Sequence, residues 1–336
     1  AFIKLKWGYS PDEMLVKDAP KYIKFALGEN VKQSNWGDFS RNRFPQSRMG
    51  VEQVYEDYFT RAIEYKNEWD TYKSGKNKKM PRFDVEMEVL GEILAKKRFI
   101  TCHSYVQSEI NMLMKLAERY GFKIQTFTHI LEGYKVADKM KAHGAAASTF
   151  SDWWNYKMEV VDAMAYNASI MHKVGVNVAI NSDDAEMARH LNHEAAKSVK
   201  YGGLTEEEAL KMVTINPAKM LHVDSKVGSI KAGKDADVVL WNENPLSVYA
   251  KPEKTIIEGA VYFDIEKDKE LRANIAAERN RLIQKMLNSK ASGAPTARPE
   301  MRKPRLFVCN SLGGLTEEEG ETRAFGTLQL QDNCDK

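Results

Sequence analysis

Between Phe99 and Asp183 the chain repeats one pattern three times: a short apolar run, a polar residue at its end, an amphipathic stretch, a glycine and the next apolar run. Such alternation is how a parallel α/β sheet reads, because each strand is buried on both faces and returns through a helix. The apolar runs are Ile3 to Trp7, Ile23 to Leu27, Phe99 to His103, Ile124 to His129, Ala145 to Phe150 and Asn177 to Asp183. Ser108 to Tyr120 places Ile110, Leu113, Met114 and Ala117 on one helical stripe and stops at Gly121, a residue type suited to the left-handed turn after a helix. Glu132 to Ala142 and Glu159 to Lys173 read in the same way.

In a barrel of parallel strands the C-terminal ends open on one mouth, so side chains placed there converge from distant sequence positions. His103, His129 and Asp183 occupy such ends, and imidazole with carboxylate suits zinc or a similar divalent ion. Six runs leave an eight-stranded barrel two strands short, and nothing after Asp183 supplies them, so they are expected before residue 1. The expected class is therefore α/β: an incomplete TIM-like (β/α)₈ barrel over residues 1–222, with a small composite β-sandwich. Residues 35–80 lack strand alternation and hold a helix from Val51 to Tyr72, expected to be a lid or insertion over the mouth.

After the barrel pattern, Thr205 and Glu208 spell a capping box for a helix that should end near Pro217. Residues 223–265 contain β runs at Val227 to Ile230, Ala236 to Trp241, Lys254 to Gly259 and Val261 to Asp264, the expected sandwich part. Residues 266–288 read as a charged helix and 289–336 as a tail, where Leu315 to Glu319 repeats the words of Leu204 to Glu208 too briefly to mark a structural repeat.

Composition excludes some function classes. The 50 basic and 47 acidic side chains are interspersed, for a net charge of +3, without the basic run that tracks a nucleic-acid backbone. No stretch approaches the roughly 18 uncharged apolar residues of a spanning helix. Neither nucleic acid nor membrane is an expected partner; a small molecule or dipeptide is, and a homo-oligomer is compatible. The chain opens with Ala1 rather than Met, so cytoplasmic and exported locations both stay open. Cys102 lies in an apolar run, whereas Cys309 and Cys334 share the tail and could pair only in an oxidising compartment.

From about residue 20 to 264 the chain resembles the amidohydrolase superfamily, especially its imidazolonepropionase-like and prolidase-like branch. The pieces are Cys102-His103, Thr128-His129 and Asn181-Ser182-Asp183-Asp184. To these add Val227 to Ile230, Gly233 to Val239, Asn244-Pro245 and Gly259, which are similar to the family's C-terminal β-sandwich signature. The resemblance implies that His103 and His129 bind a second metal, and that Asp183 binds the first and acts as general base. One or two divalent ions, zinc first, are the implied cofactor. The family's remaining His-x-His has no counterpart, because all seven histidines lie at or beyond residue 103. It is expected upstream together with the missing strands, which leaves this chain alone inactive and only marginally stable. A bridging ligand would come from Lys24, within the strand and carboxylated, or from Glu29 at its end. Glu29 is the expected one, since a strand-end carboxylate needs no modification.

The implied activity is hydrolysis of an amide or related C–N bond in a cyclic amide or dipeptide by metal-activated hydroxide. The alternative is a catalytically inactive binding or scaffolding protein on the same barrel. His143 and His172 precede glycines at helix ends, where a positive charge suits the dipole. His190 and His193 lie one turn apart and could form half a metal site, and His222 caps the last barrel helix. Arg48 could clamp a substrate carboxylate, although a solvated loop arginine is the commoner case.

Overall fold

The computed structural model describes residues 2–33, 43–153 and 157–297. In chain order the elements are α1 (Pro11–Met14), β1 (Lys21–Ala26), α2 (Glu29–Lys32), α3 (Arg48–Lys73), α4 (Val85–Leu94), β2 (Arg98–His103), α5 (Gln107–Tyr120), β3 (Thr126–Thr128), α6 (Ala137–His143) and β4 (Ala146–Thr149). There follow α7 (Asn167–Val174), β5 (Val178–Ile180), α8 (Leu191–Gly202), α9 (Glu206–Lys211), α10 (Ile215–Met220), β6 (Val238–Trp241), β7 (Pro252–Ile257), β8 (Ala260–Asp264) and α11 (Ile265–Ala291). Cys309, Cys334 and the Leu315 segment lie outside the described residues, as do residues 35–42 of the expected lid.

One compact unit comprises Ala1–Asp237 and Glu243–Lys251. Its sheet has strand order β1-β2-β3-β4-β5, every neighbour parallel. Sequential parallel strands joined by helices fit a TIM-like barrel; among the described residues the five strands form an open sheet, and no closure joins β5 to β1.

The register sorts the two faces. Phe25, Cys102, Phe127, Ala147 and Val178 lie side by side and belong to the main core with Phe59 of α3, Leu113 and Leu116 of α5, Met140 of α6 and Met171 of α7. Phe59 stacks on Phe122 at 4.2 Å and meets the edge of Phe25 at 6.2 Å; full burial of each such ring is worth about 1.5–3 kcal/mol. Lys24, Thr101, Thr126 and Ala146 form the neighbouring register row, and pleating turns that row to the opposite face. Thus α3 sits in the helical layer against β1 and α5, with the Tyr55 hydroxyl donating to the Ala26 carbonyl at 2.8 Å.

Helix ends follow their sequence signals. Gly121 and Gly144 both take φ +77 just past α5 and α6, a conformation costly for any residue with a Cβ. The Thr205 to Glu208 capping box is present at α9. Pro217, expected to stop that helix, instead lies in the first turn of α10, where its missing N–H has no intrahelical partner to lose.

Three expected elements differ. Ile3 to Trp7 forms no strand: a single bridge joins Ile3 to Leu15, Leu5 and Trp7 stay exposed, and Lys4 is held by Asp235 and Asp237 instead. Glu159 to Lys173 becomes a helical turn at Met158–Val160 and then α7, and the Glu159 carboxylate accepts from the Glu29 N–H. Val227 to Ile230 is no strand either; it turns against α10, where Gly228, at φ +85, would place a Cβ 2.7 Å from that of Ala218.

Among the described residues the second compact unit comprises Val238–Asn242 and residues 252–297. Its antiparallel sheet has order β6-β7-β8. Glu258 and Gly259, both at positive φ, make the two-residue turn that matches hairpin twist. Asp264 caps α11 by accepting from the Glu266 N–H at 3.0 Å. Among the described residues no helix is long and apolar enough to cross a membrane.

Candidate active site

His103 ends β2, His129 follows β3, and Asn181 and Asp183 follow β5, so parallel pairing carries all four to the same end of the sheet. His103 is 1% exposed and His129 7% exposed. Their ring centroids are 5.1 Å apart, and His129 Nε2 lies 3.7 Å from Asp183 Oδ2. Tyr105 meets His103 edge-on at 4.5 Å. On the other side His129 stacks on Phe150 at 5.2 Å, and Phe150 stacks on Trp153 at 4.5 Å.

Two of these residues hold unusual backbone. His129 has φ +59 and Asp183 φ +52, the left-handed region that costs a non-glycine residue of order 1–3 kcal/mol and persists where the surroundings fix it. At His129 the fixing groups are visible. Asn181 Nδ2 lies 2.7 Å from His129 Nδ1, and the Ser148 hydroxyl donates to Asn181 Oδ1 at 2.6 Å. Behind them buried Asn167 donates to the Ile130 carbonyl at 2.6 Å and to Thr149 Oγ1 at 2.9 Å. Sequence reasoning quoted Asn181 without a role and missed Ser148 and Asn167, because an amide or hydroxyl carries no spacing signature.

The donor chemistry suits a divalent ion such as zinc. Two ligand atoms each about 2.0–2.1 Å from a tetrahedral ion stand roughly 3.4 Å apart, close to the 3.7 Å between His129 Nε2 and Asp183 Oδ2. Among the described residues no group of three His, Cys, Asp or Glu side chains closes to that range as placed. The His129 and Asp183 pair therefore has ligand spacing, with the His103 ring beside it.

The candidates for a bridging ligand sit differently. Lys24 lies on the sheet face that also carries Thr101 and His103, since Ala26 pairs with His103 and Lys24 with Thr101. Glu29 lies in the first turn of α2 and forms an ion pair with Lys32. The turn before it is clasped by two carboxylates: Glu109 accepts from the Gly28 N–H at 3.0 Å and Glu159 from the Glu29 N–H at 3.0 Å. Gly28 has φ +68, and a Cβ there would come 2.1 Å from Glu159 Oε1. Burial pushes the Glu109 carboxyl up; Arg48 opposes the shift and Glu159 adds to it. Arg48 is not a loop residue: it opens α3 and lies 3.3 Å from Glu109 Oε2.

The other histidines have structural partners. His143 Nδ1 lies 2.9 Å from Glu118, and its Nε2 accepts the Ile124 N–H at 3.3 Å. His172 Nε2 is 3.1 Å from Glu208, and His222 Nδ1 is 2.9 Å from the Tyr22 hydroxyl. His190 and His193 stack at 5.3 Å. Cys102 is buried, with its thiol 3.5 Å from the His103 carbonyl.

With this geometry in place, the likeness to known proteins becomes specific. A family model described as the amidohydrolase family matches residues 157–268, which include Asp183. The chain is 30% identical over 257 residues to amidohydrolase tasK of Hapsidospora irregularis, covering 73% of this chain and 26% of that protein. It is 27% identical over 166 residues to imidazolonepropionase of Thermoplasma volcanium, covering 47% of this chain and 40% of that one. The solved structure of an amidohydrolase from Thermotoga maritima superposes with a TM-score of 0.68 at 29% identity, covering 75% of this chain and 65% of that one. These likenesses support assignment to the amidohydrolase superfamily, on its imidazolonepropionase-like branch. It spans well under half the length of the two curated relatives described.

Proposed function

We propose that the chain carries part of the active site of a hydrolase acting on C–N bonds of small cyclic amides or dipeptides, with His103, His129 and Asp183 holding a divalent ion, zinc first. The observation that supports this most is the gathering of three donors from three strand ends, with His129 Nε2 3.7 Å from Asp183 Oδ2. When bound, such an ion lowers the pKa of water from 15.7 towards about 7 and polarises a carbonyl.

The chain's own residues would do the rest. Asp183 accepts the proton of the attacking water and returns it to the leaving nitrogen. Phe150, Trp153 and Tyr105 wall the histidines on two sides, which keeps bulk water from screening the charges. For the bridging position, the pleat supports Lys24, on the His103 face, over Glu29, whose carboxylate is engaged by Lys32.

The test is made in the longest natural chain that contains these residues, assayed against cyclic amides and dipeptides with added zinc. Asp183→Asn should lower kcat by roughly 10²–10⁴-fold, the usual worth of a general base, and His129→Ala should lower bound zinc. Hydrolysis undiminished in Asp183→Asn would sink the reading.

A further inference from the structure

Ser148, Asn181 and His129 form a chain of hydrogen bonds whose direction is reversible. With the amide nitrogen facing the ring, as found at 2.7 Å, Nδ1 must be an acceptor. The proton of the neutral ring then sits on Nε2 and points towards Asp183 Oδ2, 3.7 Å away. Turning the amide by a half rotation puts Oδ1 against the ring, so that Nδ1 carries the proton and donates, and Nε2 presents its lone pair. The Ser148 hydroxyl, 2.6 Å from the amide, donates in the first arrangement and accepts in the second, because a hydroxyl does both. Neither arrangement loses a hydrogen bond.

We propose that Asn181 is a positioning residue that selects the His129 tautomer: the amide nitrogen faces the ring in the metal-free protein, and the amide turns when a divalent cation takes Nε2. The inference rests on the metal-binding reading only in its second half. A ligating imidazole donates its other ring N–H to an acceptor that fixes its orientation, and the Asn181 carbonyl oxygen is the group within reach to serve as that acceptor. Ser148 is 9% exposed and belongs to β4. Its hydroxyl thus anchors the amide from a neighbouring strand, and the amide can turn without moving the backbone.

The experiment is ¹⁵N NMR of histidine-labelled protein, held at one pH above the imidazole range so that the ring is neutral, without metal and with zinc. In the metal-free wild type, His129 should show the Nε2–H tautomer, and zinc should convert it to Nδ1–H. Asn181→Asp offers acceptors alone, so it should show Nδ1–H before any metal is added and bind zinc at least as tightly as wild type. Asn181→Leu orients neither tautomer and should lose about 10- to 100-fold in zinc affinity. An Nε2–H signal persisting in metal-free Asn181→Asp, or wild-type zinc affinity in Asn181→Leu, would overturn the proposal. Absence of any zinc uptake by the wild type would instead remove the metal-binding reading together with the second half of this one, while the metal-free spectra would still decide the first.

Discussion

Glu109 and Asn167 are polar groups that the fold commits to its interior. Glu109 is 2% exposed, and its carboxyl is raised by burial despite Arg48. A carboxyl raised in the folded state binds its proton more tightly folded than unfolded, so it favours the folded state more as pH falls through the window between its ordinary and raised values. Relative to Glu109→Gln, the wild type should therefore gain stability as pH falls towards the ordinary carboxylate value in urea titrations; parallel curves would contradict the raised carboxyl. Asn167 is 1% exposed and also accepts the Tyr134 N–H at 2.9 Å. Asn167→Leu strands two acceptors and one donor, at an expected cost of about 2–4 kcal/mol, read as a lower urea midpoint with unchanged slope. Nothing in the spacing of Glu109, next to Ile110 on an amphipathic helix, marks it as buried; its partners, the Gly28 N–H and Arg48, come from distant parts of the chain. The placing of His103, His129 and Asp183 at one end of the sheet was legible because strand ends converge whatever the intervening residues, whereas the Asn181 amide acquires meaning through a distance.

Among elements, the legible ones are those whose own sequence supplies both pattern and punctuation. The α5 helix has its stripe and Gly121, and α9 has its capping box. Ile3 to Trp7 has alternation but no neighbouring strand, and pleated pairing is a property of two chains' backbones rather than one run's side chains. Thr205→Ala should lower stability by about 1 kcal/mol, the usual worth of such a cap, seen as a lower Tm. The partner Glu208 is pulled down to about 2, first by its hydrogen bonds to Thr205 and then by His172. A depressed carboxyl stabilises above its unfolded value and loses that contribution as pH falls through the folded one. The deficit of Thr205→Ala should thus shrink as pH falls from about 4.5 towards about 2; a deficit constant across that range would exclude the carboxylate's share.

For the parallel-sheet unit as a whole, the outer edges of β1 and β5 are the question, since an unpaired strand edge is a template for association. Lys21 and Lys24 place charge on β1, a common defence of such edges. Replacing both by valine should raise light scattering on incubation at 37 °C, and unchanged scattering would show that the edge is protected by other means. The β5 edge is protected differently: the Ile180 N–H donates to the Met212 carbonyl at 3.1 Å, and the Asn216 amide takes the Val178 carbonyl at 2.8 Å. A loop and a side chain thus occupy the positions where a sixth strand would bond. The β1 edge is engaged as well, since the Ala26 carbonyl accepts from the Tyr55 hydroxyl at 2.8 Å and the Tyr22 carbonyl from the Arg98 guanidinium at 3.2 Å. With side chains seated on the backbone of both outer strands, a peptide added in trans would have to displace them before it could extend the sheet on either side.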